Sequence, residues 1–264
     1  MALPITGGVM ELLGVEAAMA SLRRGEPVLV YDSDRRERET DIIIASQHIT
    51  PAAIRQMRRD GGGLVCATVP PPAWRRLGIP FLADLFQEAG GRHPLLAELV
   101  PDDIPYDTRS AFAITINHRR TFTGVTDRDR ALTISQLAKM IREALEYRGP
   151  DDDLRRAFGR LFRAPGHVTL LNAAEGLLSN RQGHTEMATA LVGLAGLTPS
   201  ATICEMMGDD GRSLPREAAL QYARERGLAF VDGAEVRRLW EGLESLPAWT
   251  KGLRGRAGVC QNGQ

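Results

Sequence analysis

Three short stretches, far apart in the chain, carry carboxylates, and two of them add arginine or histidine. They are residues 34–41 (DRRERETD), residues 180–186 (NRQGHTE) and residues 204–211 (CEMMGDDG). Carboxylates bind divalent cations, arginine binds phosphate, and histidine or carboxylate groups transfer protons. Together the stretches predict an enzyme with a site for a cation and for a phosphorylated sugar that loses a proton.

The first stretch is rich in acidic residues. Side chains alternate in an extended segment, so Glu37, Glu39 and Asp41 are expected on one face, with Arg36 on the other. Such a face suits magnesium, which uses one or two protein carboxylates and keeps several waters. A solvated, charged turn between two strands would have the same residues, and both interpretations stay open.

The second stretch lies where a helix is predicted to begin. Gly183 would let the backbone approach a ligand, and the first N–H groups of a helix favour an anion. Arg181 and the Thr185 hydroxyl would complete a phosphate site. His184 is a candidate metal ligand or base, and a capped helix start with a structural histidine is the alternative.

Two further candidates lie at the ends of predicted strands. Glu205 follows the apolar run 201–204, so its carboxylate is expected at a strand's carboxyl end, where ligands bind in α/β sheets. His167 begins the predicted strand 167–171 and fits a structural role as well as a catalytic one. Cys66 lies in an apolar strand and is expected to pack.

Composition favours a globular protein with a small-molecule partner. The chain has 264 residues, of which 43% are hydrophobic, and its 33 basic residues balance 33 acidic ones. This balance gives no overall basic excess for nucleic acid, and no apolar run reaches the roughly 18 residues of a membrane span. Three cysteines without CxxC spacing, and no signal-peptide pattern, lead us to expect a cytoplasmic protein.

Strand and helix patterns alternate along the chain. Apolar and β-branched runs predict strands at 27–31, 41–45, 64–69, 111–117, 167–171, 201–204 and 228–231. Helices are predicted at 51–59, 133–147, 184–195, 215–226 and 232–240, with an exposed turn at 148–153 and an irregular segment at 79–107 that contains one short helix. This order predicts an α+β (mixed α/β) fold of three layers, in which helices cover a mixed twisted sheet.

Periodicity weakens towards the end of the chain, where glycine recurs. We predict one catalytic domain over residues 1–243 and a flexible tail over residues 244–264.

Six motifs, in this order, resemble those of the 3,4-dihydroxy-2-butanone 4-phosphate synthases of riboflavin biosynthesis. They are DRRERETD (34–41), GGGLVCA (61–67), TFTGVTDRDR (121–130), FRAPGHV (162–168), RQGHTE (181–186) and CEMMGDDG (204–211). The resemblance covers about residues 10–235, and six ordered motifs are far more specific than any one of them.

The resemblance implies a reaction. Members of that family are lyases that convert D-ribulose 5-phosphate into formate and L-3,4-dihydroxy-2-butanone 4-phosphate with magnesium. For this chain it implies two magnesium ions, manganese as a substitute, and a homodimer whose active sites lie at the subunit interface. The reaction is expected to begin with removal of a C1 proton beside the C2 ketone.

The resemblance also assigns roles to residues. Glu37 and His184 are the expected metal ligands, and His167, Glu205 and Asp41 are the expected catalytic residues. The implied substrate-binding set is Arg36, Glu37, Asp41, Arg181, Gln182, Gly183, His184, Thr185 and Glu205.

The chain departs from the commonest family pattern at Arg38, Thr40 and Gln182, where asparagine, glycine and glycine are usual. The expected metal ligands are all present, so the departures bear on loop conformation and rate more than on reaction type. Glu39 is expected to reach the metals through water. The cysteine-rich zinc signature of the cyclohydrolase domain often fused to this family is missing, so a monofunctional enzyme is expected.

Two alternatives stay open from the sequence. One is a nucleotide-binding enzyme of tRNA threonylcarbamoylation, which has a related fold and would need ATP and a basic tRNA-binding surface. The other is a non-catalytic protein that binds a sugar phosphate.

Overall fold

The computed structural model describes residues 13–99, 103–107 and 109–250. Seven strands in this part of the chain are β1 (Val28–Tyr31), β2 (Thr40–Ala45), β3 (Cys66–Val69), β4 (Phe112–His118), β5 (Phe162–Asn172), β6 (Ala201–Glu205) and β7 (Ala229–Asp232). Ten helices are α1 (Val15–Arg24), α2 (Pro51–Asp60), α3 (Pro71–Leu77), α4 (Leu82–Ala89), α5 (Pro94–Glu98), α6 (Asp127–Glu146), α7 (Asp151–Leu161), α8 (His184–Leu194), α9 (Arg216–Arg226) and α10 (Gly233–Glu241).

The strands form one sheet in the order β4-β5-β3-β6-β2-β1-β7. The pairs β1–β7 and β3–β5 are parallel, and the pairs β1–β2, β2–β6, β3–β6 and β4–β5 are antiparallel. The sheet is therefore mixed, as predicted.

Each face of the sheet carries its own apolar core, because side chains alternate along a strand. In β1, Leu29 and Tyr31 pack in the core covered by α2, α3, α6, α7 and α9. Val28 and Val30 pack in the opposite core, covered by α1, α8 and α10. Helix, sheet and helix form three layers, which confirms the predicted fold class.

The sequence located all seven strands within a few residues, except that β5 begins at Phe162 rather than at residue 167. Helix α2 is also as predicted. The Thr50 side chain caps it by accepting a hydrogen bond from the Ala53 backbone N–H at 3.1 Å, and Pro51 stands at its first position.

Helix α6 begins six residues earlier than predicted. Its N-cap is Thr126, whose side chain accepts from the Asp129 backbone N–H at 3.1 Å. Thr133, the predicted cap, is buried inside the helix, and its hydroxyl accepts from the His118 backbone N–H at 3.0 Å. Both threonines precede apolar periodic residues, so local pattern did not separate them.

Five helices were missed or only partly predicted. The predicted turn at 148–153 runs into α7, whose start after Pro150 carries three aspartates that favour a helix N-terminus. The segment 79–107 holds two short helices, α4 and α5, where one was predicted, and neither contains a buried residue. Helices α1 and α3 were not predicted.

The chain after α10 still packs against the core up to residue 250. The Trp249 ring lies 6.5 Å from the Trp240 ring, and a Cβ at Gly193 would come within 2.3 Å of Trp249. Residues 251–264 of the predicted tail lie outside the described residues, so the tail itself stays a prediction. None of the described helices is long and apolar enough to cross a membrane.

Candidate active site

The acidic loop between β1 and β2 is closed by a buried aspartate. Asp32 accepts hydrogen bonds from the backbone N–H groups of Glu37, at 2.9 Å, and of Glu39, at 3.1 Å. Its own backbone N–H donates to the Glu39 carbonyl at 3.1 Å. These bonds fold residues 32–39 back on themselves and hold Glu37 above the end of the sheet.

Two carboxylates share one end of the sheet. Asp41 in β2 pairs with Glu205 in β6 in antiparallel register, so both side chains leave the same face. Asp41 is only 1% exposed, whereas Glu205 is half-buried. The predicted position of Glu205 at the end of a strand is therefore confirmed.

Helix α8 brings His184 to these carboxylates. The His184 Nδ1 atom lies 3.3 Å from Glu37 Oε2, and its Nε2 atom lies 3.6 Å from Asp41 Oδ1. His184 is itself buried. Residues 147 positions apart in the chain thus meet in one cluster.

Burial and charge shift the protons of this cluster. Burial lowers the pKa of His184, but the neighbouring Asp41 and Glu37 carboxylates outweigh it and raise that pKa to about 10. Burial has the largest effect on Asp41; His184 opposes it and Glu205 adds to it, and together they raise the pKa of Asp41 to about 8. The carboxylates around His184 therefore favour a positive charge at this point, either a proton on the imidazole or a cation that replaces it.

Arg181 folds over the start of α8. Its Nη1 atom donates to Glu186 Oε2 at 2.6 Å, and Glu186 is fully buried. Gly183 is the N-cap of the helix, and a Cβ there would lie 2.5 Å from Arg181 Nη1. Glycine is thus required at this position for the guanidinium to lie where it does.

Asp107 connects this guanidinium to the acidic loop. Its Oδ2 atom accepts from Arg181 Nε at 2.6 Å and from Arg36 Nη2 at 3.2 Å. Burial alone would raise the pKa of Asp107, but the charges and hydrogen bonds of Arg181 and Arg36 outweigh burial. The pKa is therefore lowered overall, and the carboxyl stays ionised.

These groups surround one cavity of about 120 Å³. Its polar lining includes Glu37, Asp41, Tyr106, Asp107, Arg109, Arg181, His184, Thr185 and Glu205. Glu37, His184 and Asp41 lie together in it, and Arg181 lies beside Asp107, so the cavity offers groups for a cation and for an anion.

The side chains also suit a divalent cation. One ligand atom from each of Asp32, Glu37 and His184 lies within 4.8 Å of the other two. His184 Nε2 and Asp41 Oδ1 are buried and have no hydrogen-bond partner among the described residues. Oxygen and imidazole donors together fit magnesium or manganese.

Four of the expected site residues do not line this cavity in a single protomer. Arg36 and Gly183 lie just behind the lining, because Arg36 donates to Asp107 and Gly183 packs against Arg181. The other two lie farther away. His167 is exposed, does not line this cavity, and is held by Asn117, whose Oδ1 accepts from the His167 backbone N–H at 2.8 Å. The Gln182 side chain accepts from Arg237 Nη1 at 2.8 Å and does not line the cavity either.

Two of the departures from the family pattern, Arg38 and Thr40, lie in or beside β2. Arg38 takes a left-handed conformation with φ of 60°, which asparagine adopts more readily than arginine. Thr40 lies in β2 and is fully buried.

Three residues of the cluster were given no role from the sequence. Asp32 lies two residues before the acidic motif, and Asp107 lies in a segment without periodicity. Glu186 belongs to the phosphate motif, but its helical position gave no sign that it would hold Arg181. Glu186 lies five residues after Arg181, and this closeness in sequence was the one local sign of the ion pair.

The fold and the cluster define a class of protein: an α/β enzyme with a divalent-cation site beside an arginine-lined anion site. Within that class the chain belongs to the 3,4-dihydroxy-2-butanone 4-phosphate synthase family, whose family model matches residues 16–239. The resemblance inferred from six motifs is confirmed.

Similar proteins agree over most of their length. The chain is 54% identical over 223 residues to the 3,4-dihydroxy-2-butanone 4-phosphate synthase of Methanothermobacter thermautotrophicus, covering 84% of this chain and 93% of that protein. It is 43% identical over 227 residues to the synthase of Archaeoglobus fulgidus, with 85% and 93% covered. By contrast, it spans 48% of the riboflavin biosynthesis protein RibBA of Salinispora tropica, with 32% identity over 84% of this chain.

A solved structure has the same fold. A 3,4-dihydroxy-2-butanone 4-phosphate synthase in complex with two magnesium ions matches with a TM-score of 0.68 and 27% identity, covering 88% of this chain and 98% of that one. This likeness supports the mixed α/β fold and the metal dependence. Neither the tRNA-modifying enzyme nor the non-catalytic binding protein is favoured by these matches.

Proposed function

We propose that the protein converts D-ribulose 5-phosphate into formate and L-3,4-dihydroxy-2-butanone 4-phosphate with a divalent cation held by Glu37 and His184. The observation that carries this is the meeting of these two side chains, 3.3 Å apart, beside the guanidinium-lined end of the cavity. The products together contain every atom of the substrate, so the reaction needs no oxidant, reductant or second substrate.

Substrate orientation follows from the two ends of the cavity. The phosphate is bound by Arg181, by the Thr185 hydroxyl and by the first N–H groups of α8. Glu186 and Asp107 engage Nη1 and Nε of Arg181, and Nη2 makes no hydrogen bond within the described part of the chain. That nitrogen is available to the phosphate, and the ketone end of the sugar then points at Glu37 and His184.

The product identifies the first proton to be removed. The product carries a methyl group where ribulose carries its C1 hydroxymethyl group, so the C1 hydroxyl must leave. The hydroxyl can leave once an enediolate has formed between C2 and C3, and this enediolate forms by removal of the C3 proton. We therefore assign the first proton removal to C3, and not to C1 as expected from the sequence; both carbons lie beside the same ketone. A bound divalent cation supplies Lewis-acid stabilisation for the negative charge that develops on the sugar oxygens.

Glu205 is the better placed of the two candidate bases. It is half-buried, lines the cavity and makes no side-chain hydrogen bond to other described residues. Asp41 lies deeper, against His184, where it holds a sugar hydroxyl and orients the imidazole. A carboxylate in contact with the substrate can take the C3 proton directly.

A homodimer would bring His167 to a second site. His167 is exposed on β5, outside the cavity of its own protomer, and nearby Phe122 is 94% exposed on the loop between β4 and α6. Val125 of the same loop is 52% exposed, and apolar side chains exposed together suit a protein interface. In the proposed dimer this surface meets the neighbouring active site, and His167 serves it as a later acid or base.

The test is formate release from ribulose 5-phosphate with added magnesium. Glu37→Gln and His184→Ala should each lower turnover by about 1,000-fold or more, because loss of a metal ligand removes several kcal/mol of charge stabilisation. Glu88→Gln and His93→Ala change exposed residues of the same types and serve as controls. Turnover within tenfold of wild type in either ligand variant would refute the metal assignment, provided that thermal melting shows a folded protein.

A further inference from the structure

Asp107 lies where three separate segments meet. It follows the irregular segment after α5, yet its side chain is only 10% exposed. One oxygen, Oδ2, bridges Arg36 of the acidic loop and Arg181 of the loop before α8. Like charges repel strongly at such short range, so an ionised carboxylate between the two guanidinium groups offsets their repulsion.

Each of these arginines is close in sequence to a proposed metal ligand. Arg36 precedes Glu37 directly, and Arg181 lies three residues before His184. A contact that joins the two guanidinium groups therefore also links the two backbone segments. Asp32 already holds the Glu37 backbone, and the Asp107 contact adds a second restraint on the loop whose Glu37 lies 3.3 Å from His184.

Arg36 has few other strong contacts. Its remaining carboxylate neighbours are Glu37 at 3.7 Å and Asp32 at 3.9 Å, both longer than a hydrogen bond. Arg181, by contrast, is also held by Glu186 at 2.6 Å. Loss of the Asp107 carboxylate would therefore release Arg36 and its loop more than Arg181.

We propose that Asp107 is a positioning residue, which holds Arg181 where it lines the cavity for the substrate phosphate and, through Arg36, ties the acidic loop that carries Glu37 to the segment that carries His184. This inference rests on the proposed function, because it takes the phosphate and metal ends of the cavity from it. Asp107 itself touches neither the reacting carbons nor the metal. The opposite possibility, that Asp107 competes with phosphate for the same guanidinium groups, predicts effects of the opposite sign.

Asp107→Asn tests the proposal, with Asp84→Asn as the matched control. Asp84 forms an ion pair with Arg109, two residues from Asp107, so the control also removes one carboxylate from an arginine of this segment. We expect Asp107→Asn to raise the KM for ribulose 5-phosphate about tenfold or more, to leave kcat within about threefold, and to weaken Mn²⁺ binding several-fold in the absence of substrate. Asp107→Glu should restore part of both losses.

Other outcomes would overturn the proposal. An unchanged KM for Asp107→Asn would mean that Asp107 does not position the arginines, and a lower KM would mean that it competes with the phosphate. Equal effects of Asp84→Asn would mean a general effect on the segment. Mn²⁺ binding is measured by electron paramagnetic resonance on the free protein. If the wild type released no formate, the proposed function would fail, whereas unaltered Mn²⁺ affinity in Asp107→Asn would refute the role of Asp107 alone.

Discussion

Arg181 is held by two carboxylates with different surroundings. Asp107 reaches the surface of the cavity, whereas Glu186 is fully buried and also accepts from the Ala174 backbone N–H at 2.8 Å. Removing one partner of a buried ion pair leaves an uncompensated charge, which costs more than the pair contributes. Arg181 therefore has a structural role besides the proposed phosphate contact.

The two roles of Arg181 can be separated by mutation. Arg181→Ala should lower the free energy of unfolding by about 3 kcal/mol, because Glu186 is left buried without its cation. Adding Glu186→Gln should recover most of that stability, since a neutral amide is less costly to bury. The KM for ribulose 5-phosphate should stay raised in both variants. Urea unfolding and steady-state kinetics measure the two effects, and a single variant as stable as wild type would contradict the assigned ion pair.

At the residue scale the sequence predicted most of the charged residues that line the cavity, but not Asp107, which joins two of the arginines. Glu37, Asp41, His184 and Glu205 stand in motifs, and the structure brings them into one cavity. Asp107 could not be predicted, because its importance comes from two arginines that are 71 and 74 positions away. Such a contact follows from tertiary structure alone.

At the element scale, helices with several agreeing local signals were predicted correctly, and short helices were not. Helix α2 has a cap, a proline at its first position and a glycine after its end, and all three signals agreed. Helices α4 and α5 span eight and five residues, so each offers few turns in which an apolar period can repeat. The predicted start of α6 at Thr133 was wrong, because Thr126 caps the helix and the Thr133 hydroxyl accepts from His118 in β4.

The elements also determine where the site can form. Strands β2 and β6 are neighbours, and this places Asp41 opposite Glu205. Helix α8 covers the same face and begins at His184, so its first residue lies 3.6 Å from Asp41. The order of strands could not be predicted from the sequence, because β1 pairs with β7 about 200 residues later.

At the scale of the whole molecule, a homodimer would share its sites between subunits. Glu37 and His167 would then act in one site but come from different chains. Mixing Glu37→Gln and His167→Ala subunits should restore roughly a quarter of wild-type formate release, since half of the random dimers are mixed and each has one intact site. No recovery, once native mass spectrometry shows that mixed dimers have formed, would contradict shared sites.

The proposed reaction requires a divalent cation held between two residues, Glu37 and His184, that are 147 positions apart in the chain. The direct measurement is pulsed electron paramagnetic resonance of bound Mn²⁺, which detects nitrogen coupled to the metal. We predict a single imidazole nitrogen coupling in the wild type, lost in His184→Ala and retained in the control His93→Ala, with Glu37→Gln weakening binding at least tenfold. A nitrogen coupling that survives in His184→Ala, or Mn²⁺ affinity unchanged in both ligand variants, would contradict it.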